Sequence, residues 1–127
     1  MDTIAETAEK FGISKNALRY YEKEGLLNSV ARDKNGIRSY SEKDLLEINK
    51  IVHLRKLGAS LKEIKEFNFD EATVTSDILQ KRIEFLERLD LKLQRNILEI
   101  KEQEVYLQKK MKRLKRIRKD LAKQETL

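Results

Sequence analysis

Apolar positions recur at helical spacing through most of the chain, and glycines or hydroxyl residues punctuate them. From Thr3 onward Ile4, Ala8 and Phe11 fall on one face, and Gly12 stops the run. Ser14 caps a second segment that ends at Gly25 after about three turns. In that segment Ala17, Leu18 and Tyr21 share a face suited to packing on the first helix, with Tyr21 expected inside and Tyr20 outside. Asn16, Arg19, Tyr20 and Lys23 share a different face. Two short helices joined across Gly12-Ile13 form a helix-turn-helix candidate. A third helix is predicted from Ser41 to about Leu57, with Leu45, Ile48 and Val52 on one side and Gly58 as its stop. A fourth starts at Ser60 and buries Leu61, Ile64 and Phe67. Three of the starts carry a capping box: Thr3 with Glu6, Ser60 with Glu63 and, with a shorter arm, Ser41 with Asp44.

Between the second and third helices lies Ala31-Arg32-Asp33-Lys34-Asn35-Gly36-Ile37-Arg38-Ser39-Tyr40. Asn35-Gly36 is a strong hairpin signal, because both residues tolerate the positive φ of a type I′ turn. Only two short strands fit beside it, so the prediction is a wing that leans on a helix rather than a sheet.

The segment from Asn68 to Thr75 loses periodicity and reads as a linker. Beyond it, Ser76 to Glu125 contains neither glycine nor proline. Leu79, Leu86, Leu93, Ile100, Leu107, Leu114 and Leu121 recur there at every seventh position. A seven-residue repeat keeps one seam facing a second helix, which predicts a coiled coil and hence a dimer. The other seam position is mixed: Ser76, Ile83, Asp90, Ile97, Glu104, Met111 and Arg118. Its three charged members argue against one uniform parallel zipper of the full length. They favour a shorter coiled coil through Ile83 and Ile97 with the basic tail packed elsewhere; the pattern alone leaves strand orientation open. The apolar set expected to make the dimer is Leu79, Ile83, Leu86, Leu93, Ile97, Ile100 and Leu107.

Composition narrows the class. Charged residues make up 39% of the 127 and aromatics 6%, so the core is small and the helix-forming bias strong. No apolar run is long enough to span a bilayer, and Met1-Asp2-Thr3-Ile4 does not resemble a signal peptide, so a cytoplasmic, nucleoid-associated protein is expected. There is no cysteine for a disulfide or thiolate metal site. The lone His53 has no companion ligands, and neither a phosphate-binding glycine loop nor a nucleophile motif is present. No enzyme, cofactor or metal is therefore expected. The net charge of +6 is unevenly placed. Residues 1–72 hold thirteen basic and thirteen acidic side chains, whereas residues 109–123 hold nine basic and one acidic.

The second helix and the wing carry the chemistry of groove recognition. Arginine forks onto guanine or phosphate, asparagine pairs with adenine, and a tyrosine hydroxyl reaches phosphate. Lys15, Asn16, Arg19, Tyr20 and Lys23 are the candidates on the helix; a solvated charged face is the competing account. Arg32, Lys34 and Arg38 surround the wing turn, and Arg55 with Lys56 precedes the Gly58-Ala59-Ser60 turn. The basic tail (Lys109, Lys110, Lys112, Arg113, Lys115, Arg116, Arg118, Lys119) admits three readings: a solvated face, a phosphate-contacting surface, or a membrane- or groove-binding helix. It has no Trp or Phe anchor for a membrane.

Four stretches in order resemble the MerR family of bacterial transcription regulators. They are Ile4-Ala5-Glu6-Thr7-Ala8 with Phe11-Gly12-Ile13-Ser14, the run Leu18-Arg19-Tyr20-Tyr21-Glu22-Lys23-Glu24-Gly25-Leu26-Leu27, the run Asn35 to Leu45, and Leu54 to Ile64. The resemblance covers residues 1 to about 67. It implies a winged-helix DNA-binding domain followed by a dimerisation helix, usually in an antiparallel coiled coil, and a homodimer on a two-fold symmetric site. It also implies control by bending and untwisting a promoter for RNA polymerase, so that protein contacts offset DNA deformation energy. By position, Arg19, Tyr20, Arg38 and Tyr40 match residues that members use on DNA. Ile37 stands where an aromatic is common, Ala59 where Phe is common, and Asn28-Ser29 where proline is frequent, so wing packing is expected to differ. Lacking cysteine, the chain cannot use the family's thiolate metal sites or a cysteine-ligated cluster. Ending after the long helix, it is expected to hold no separate drug-binding domain, and any small-molecule effector is unidentified.

The expectation is thus a mainly α protein: a winged helix-turn-helix DNA-binding domain over 1–70 with a small β-hairpin wing, a linker over 71–75 and a long coiled-coil helix over 76–127. Its expected partners are double-stranded DNA, a second copy of itself and RNA polymerase, with no membrane. The competing functions are a coiled-coil interaction protein with a basic tail and an effector-independent DNA-bending protein.

Overall fold

The computed structural model describes residues 1–126. In chain order the elements are α1 (Ile4–Phe11), α2 (Lys15–Lys23), β1 (Ala31–Arg32), β2 (Arg38–Ser39), α3 (Glu42–Lys56), α4 (Leu61–Phe67) and α5 (Ser76–Glu125). The first compact unit runs from Met1 to Arg82, and a second begins at Ile83.

All three capping boxes form. Thr3 Oγ1 accepts from the Glu6 amide at 3.1 Å while Glu6 Oε1 accepts from the Thr3 amide at 3.0 Å. Ser60 and Glu63 make the same reciprocal pair, and so do Ser41 and Asp44. Each cap satisfies helix-end donors that would otherwise be orphaned, at about 1 kcal/mol per cap. Gly12 closes α1 at φ 64°, a left-handed angle that side-chain-bearing residues rarely adopt.

Helix α1 packs on α2 and α3, and α3 packs on α4. The core between them holds Leu18, Ile48, Ile51 and Ile64, each almost fully enclosed, with Leu26 and Leu27 from the connection after α2. A polar member, Thr7, is buried among them because its hydroxyl donates to the Thr3 carbonyl at 2.8 Å.

Asp44 is the buried charge of the first unit. Its carboxylate accepts from the Ser41 amide and the Ser41 hydroxyl, both at 2.9 Å, and from the Ser29 hydroxyl. Burial pushes its pKa up, but these donors, led by Ser29, outweigh burial and hold it below the usual carboxylate value. The Ser29 bond fastens the chain leading into the wing onto the start of α3.

The wing is a two-stranded antiparallel hairpin pairing Ala31 with Ser39 and Arg32 with Arg38. Its turn differs from the type I′ expectation. No residue other than glycine has positive φ among the described residues, so Asn35 is not left-handed; Gly36 alone is, at 78°. The Gly36 amide donates to the Asp33 carbonyl at 2.9 Å, and the Asp33 amide donates to the Ile37 carbonyl at 3.0 Å. Asp33 Oδ1 also accepts from the Asn35 and Ile37 amides at 2.8 and 3.0 Å. This is a turn centred on Lys34-Asn35 with Gly36 as the bulge residue. Asp33 decides it, because its side chain collects amides that a two-residue turn would leave unpaired. At the base of the wing Tyr40 and Asp2 exchange two backbone hydrogen bonds, at 2.8 and 3.0 Å.

Helix α5 starts under a cap from Thr75, whose hydroxyl accepts from the Ile78 amide at 3.3 Å. Arg82 Nε donates to the Phe67 carbonyl at 2.8 Å, so the first turns of α5 are tied to the end of α4. No helix is long and apolar enough to cross a membrane.

Candidate nucleic-acid interface

Ser14 sets the start of α2 by accepting from the Ala17 amide at 3.0 Å. With Leu18 turned into the core, Lys15, Asn16, Arg19, Tyr20 and Lys23 are left exposed. Asn16 Oδ1 accepts from Arg19 Nη1 at 2.9 Å, one turn away, which orients the guanidinium along the helix surface. Tyr20 is 47% exposed and Tyr21 half-buried, the order expected of the pair.

The wing is held to this helix by one residue. Glu22 Oε2 accepts from Arg38 Nε at 2.7 Å, and Glu22 Oε1 accepts from Arg32 Nη2 at 2.8 Å. Burial raises the Glu22 pKa, yet the two guanidiniums together hold it below the usual carboxylate value. Arg32 and Arg38 thus stand beside α2 with part of their donors engaged and the remainder available. Lys34 sits exposed at the tip of the wing.

Two predicted site residues stand apart from this cluster. Tyr40 does not present its side chain on the surface: it is 1% exposed, and its hydroxyl has no hydrogen-bond partner among the described residues. The backbone pairing with Asp2 turns the ring inward, and burial raises its pKa. Arg55 is exposed and braces its own turn, with Nη1 donating to the Ala59 carbonyl at 3.1 Å; no hydrogen bond or ion pair links it to α2 or the wing.

Glu22, Ser29, Asp33 and Asp44 organise this surface, and of these Asp44 and Asp33 carry a local sequence signal, Asp44 through its capping-box spacing from Ser41. Asp33 could have been found, since Asp at the first and Gly at the fourth position favour a type I turn. The role of Glu22 depends on contacts ten and sixteen positions away and has no local signature. Among the described residues no three His, Cys, Asp or Glu side chains converge as metal ligands, and His53 is exposed.

The arrangement, a capped helix with a cationic outer face and a basic hairpin latched beside it, has counterparts. Residues 3–68 match the model of the MerR HTH family regulatory proteins. The chain belongs to the MerR family. An uncharacterized HTH-type transcriptional regulator of Haemophilus influenzae is 40% identical over 100 residues; the match covers 78% of this chain and 73% of that one. The regulator AdhR of Bacillus subtilis is 41% identical over 64 residues, covering 50% of this chain and 46% of its own length. Among solved structures, HiNmlR, a MerR family regulator lacking the sensor domain and bound to promoter DNA, superposes with a TM-score of 0.67 at 40% identity. That likeness covers 79% of this chain and 75% of HiNmlR.

Proposed function

We propose that the protein is a homodimeric, sequence-specific regulator of transcription that binds a two-fold symmetric promoter site and acts by distorting the DNA. The observation that carries this reading is the Glu22 latch, which sets Arg32 and Arg38 of the wing beside the exposed Arg19 and Tyr20 of α2. The helix enters the major groove with Lys15, Asn16, Arg19, Tyr20 and Lys23, and the wing arginines lie on the flanking phosphates. The likeness to a promoter-bound family member supports the same orientation. Residues 1–70 form the DNA-binding domain, 71–75 the linker and 76–127 the dimerisation helix.

Dimerisation runs along α5. Leu79, Ile83, Leu86, Leu93, Ile97, Ile100 and Leu107 are 38–62% exposed on the single chain, an apolar seam that a second copy covers. Charge sets the orientation. Residues 83–104 hold six acidic and four basic side chains, while residues 105–125 hold nine basic and two acidic. A parallel pair stacks the two cationic ends on each other, which an antiparallel pair avoids. The antiparallel pair is favoured, and its two-fold symmetry matches a symmetric site.

The deciding experiment is selection of bound sequences from a random duplex pool by the purified protein, repeated at raised salt, with Arg19→Ala and Tyr20→Phe alongside. A palindromic motif that persists at higher salt, lost in Arg19→Ala while the dimer survives, is the expected result. Enrichment of no motif, with binding that collapses with salt, would overturn the reading in favour of phosphate neutralisation alone.

A further inference from the structure

Beyond disfavouring a parallel pair, the cationic end of α5 has no part in the function just described. Six of its nine basic residues share one side of the helix, and Lys110, Lys115 and Arg118 lie outside it. Lys109, Lys112, Arg113, Arg116, Lys119 and Lys123 fall at steps of three, four, seven, ten and fourteen residues, which places them within about 120° of one another on an α-helix. One carboxylate, Asp120, lies among them. All are exposed, and none of the six side chains makes an ion pair or hydrogen bond among the described residues. They differ in this from the arginines of the first unit, which are engaged by Glu22, Asn16 or the Ala59 and Phe67 carbonyls.

The opposite face, about 180° around the helix by the same geometry, carries Leu107, Met111, Leu114 and Leu121, with Arg118 the one charge among them. These continue the seven-residue seam begun at Leu79. One surface of the tail therefore pairs with a second helix while the other stays free for a polyanion. A membrane-surface helix needs its apolar face and its cationic rim turned to the same bilayer, and here the seam claims the apolar face. The ridge is about 21 Å long at 1.5 Å per residue, comparable with about six phosphates of one DNA strand at 3.4 Å per step.

We propose that this ridge of α5 is a second, sequence-independent DNA contact, binding the phosphate backbone of duplex that flanks the site read by α2 and the wing. The inference rests on the DNA-binding reading of the N-terminal unit. The contact reads no bases; it adds affinity and salt dependence and leaves discrimination between sequences unchanged.

The test uses the full chain and a variant carrying Lys112→Gln, Arg113→Gln, Arg116→Gln and Lys119→Gln. Glutamine keeps the helix propensity, and the seam is untouched. Both proteins are first shown to be equally helical and dimeric, then titrated against two duplexes: the selected motif trimmed to its ends, and the same motif within longer unrelated flanks. The wild type is expected to bind the longer duplex about 10-fold or more tightly at low salt, and its slope of log affinity against log salt to be steeper by about 0.9 per flanking phosphate neutralised. The variant is expected to lose the flank preference and the extra slope and to keep its discrimination between motif and scrambled sequence. Equal slopes and equal flank preference in the two proteins would overturn the proposal. So would unchanged DNA binding together with loss of co-sedimentation with phosphatidylserine vesicles, which would assign the ridge to a membrane. Arg19→Ala separates this inference from the reading beneath it. If that variant keeps wild-type discrimination the α2 assignment fails, whereas full discrimination with an indifferent tail variant sinks the ridge alone.

Discussion

Glu22 Oε2 lies 2.7 Å from Arg38 Nε, an ion pair that joins the second helix to the wing across sixteen positions of sequence. Both side chains are 20% exposed, so the pair falls between a surface bridge and a buried one. Glu22→Gln is expected to cost about 1–2 kcal/mol in chemical unfolding, from the ionic contact and from the two guanidiniums left without a counter-charge.

The same carboxylate gives that loss a pH signature. Its pKa is below the ordinary 4.5 in the folded protein, because Arg38 and Arg32 outweigh the effect of burial. Its stabilisation is therefore complete above about pH 4.5 and is lost as the pH falls through the lowered value. The stability gap between wild type and Glu22→Gln is expected to be constant near neutrality and to close only in acid. A gap that closes between pH 6 and 8 would mean that a different group controls the wing.

Asp44 is buried and accepts from Ser41 and Ser29. Asp44→Ala removes a helix cap and leaves the Ser29 hydroxyl without its acceptor, a loss of about 2–3 kcal/mol. Urea denaturation measures it. Because Ser29 leads into β1, the variant is also expected to expose the wing and α2 together to limited proteolysis.

The turn geometry separates two substitutions that a type I′ turn would treat alike. Gly36 sits at φ 78° with nothing within 4 Å of an added Cβ, so Gly36→Ala meets backbone strain alone, about 1 kcal/mol. Asn35 has negative φ, and Asn35→Ala is expected to change stability by less than about 0.5 kcal/mol. Equal losses at both positions in thermal unfolding would point back to the two-residue turn.

Tyr40→Phe probes a buried hydroxyl that has no partner among the described residues. Removing an unsatisfied polar atom is expected to leave stability unchanged or raise it by up to about 1 kcal/mol. If DNA binding weakens in a variant that is no less stable, Tyr40 turns its hydroxyl outward in the complex. If affinity is unchanged, its contribution is packing beneath the wing.

Much of this architecture is readable from short stretches of chain, because the interactions that start and stop its helices span three or four residues. Thr3 with Glu6, Ser41 with Asp44 and Ser60 with Glu63 announce their helices, and Gly12 and Gly36 mark the reversals. Lys15, Asn16, Arg19, Tyr20 and Lys23 follow from helical geometry once Leu18 is recognised as core. Contacts between distant segments leave no such trace. Nothing about Glu22 distinguishes it from any other helical glutamate until the wing folds against it. The inward turn of Tyr40 likewise follows from a backbone pairing with Asp2, and no pattern near either residue signals it.

The two hydrogen bonds between Asp2 and Tyr40 close the base of a loop that contains α1, α2 and the hairpin. Within that loop lie all the side chains proposed to touch DNA in the first unit except Tyr40 and Arg55. Closing a loop of this length costs chain entropy once, and the elements inside it then share the benefit. Helix, turn and wing therefore open together or not at all. Amide exchange across them is expected to keep pace with exchange at Asp2 and Tyr40, making the DNA-reading head one cooperative folding unit whose clasp lies at residues 2 and 40.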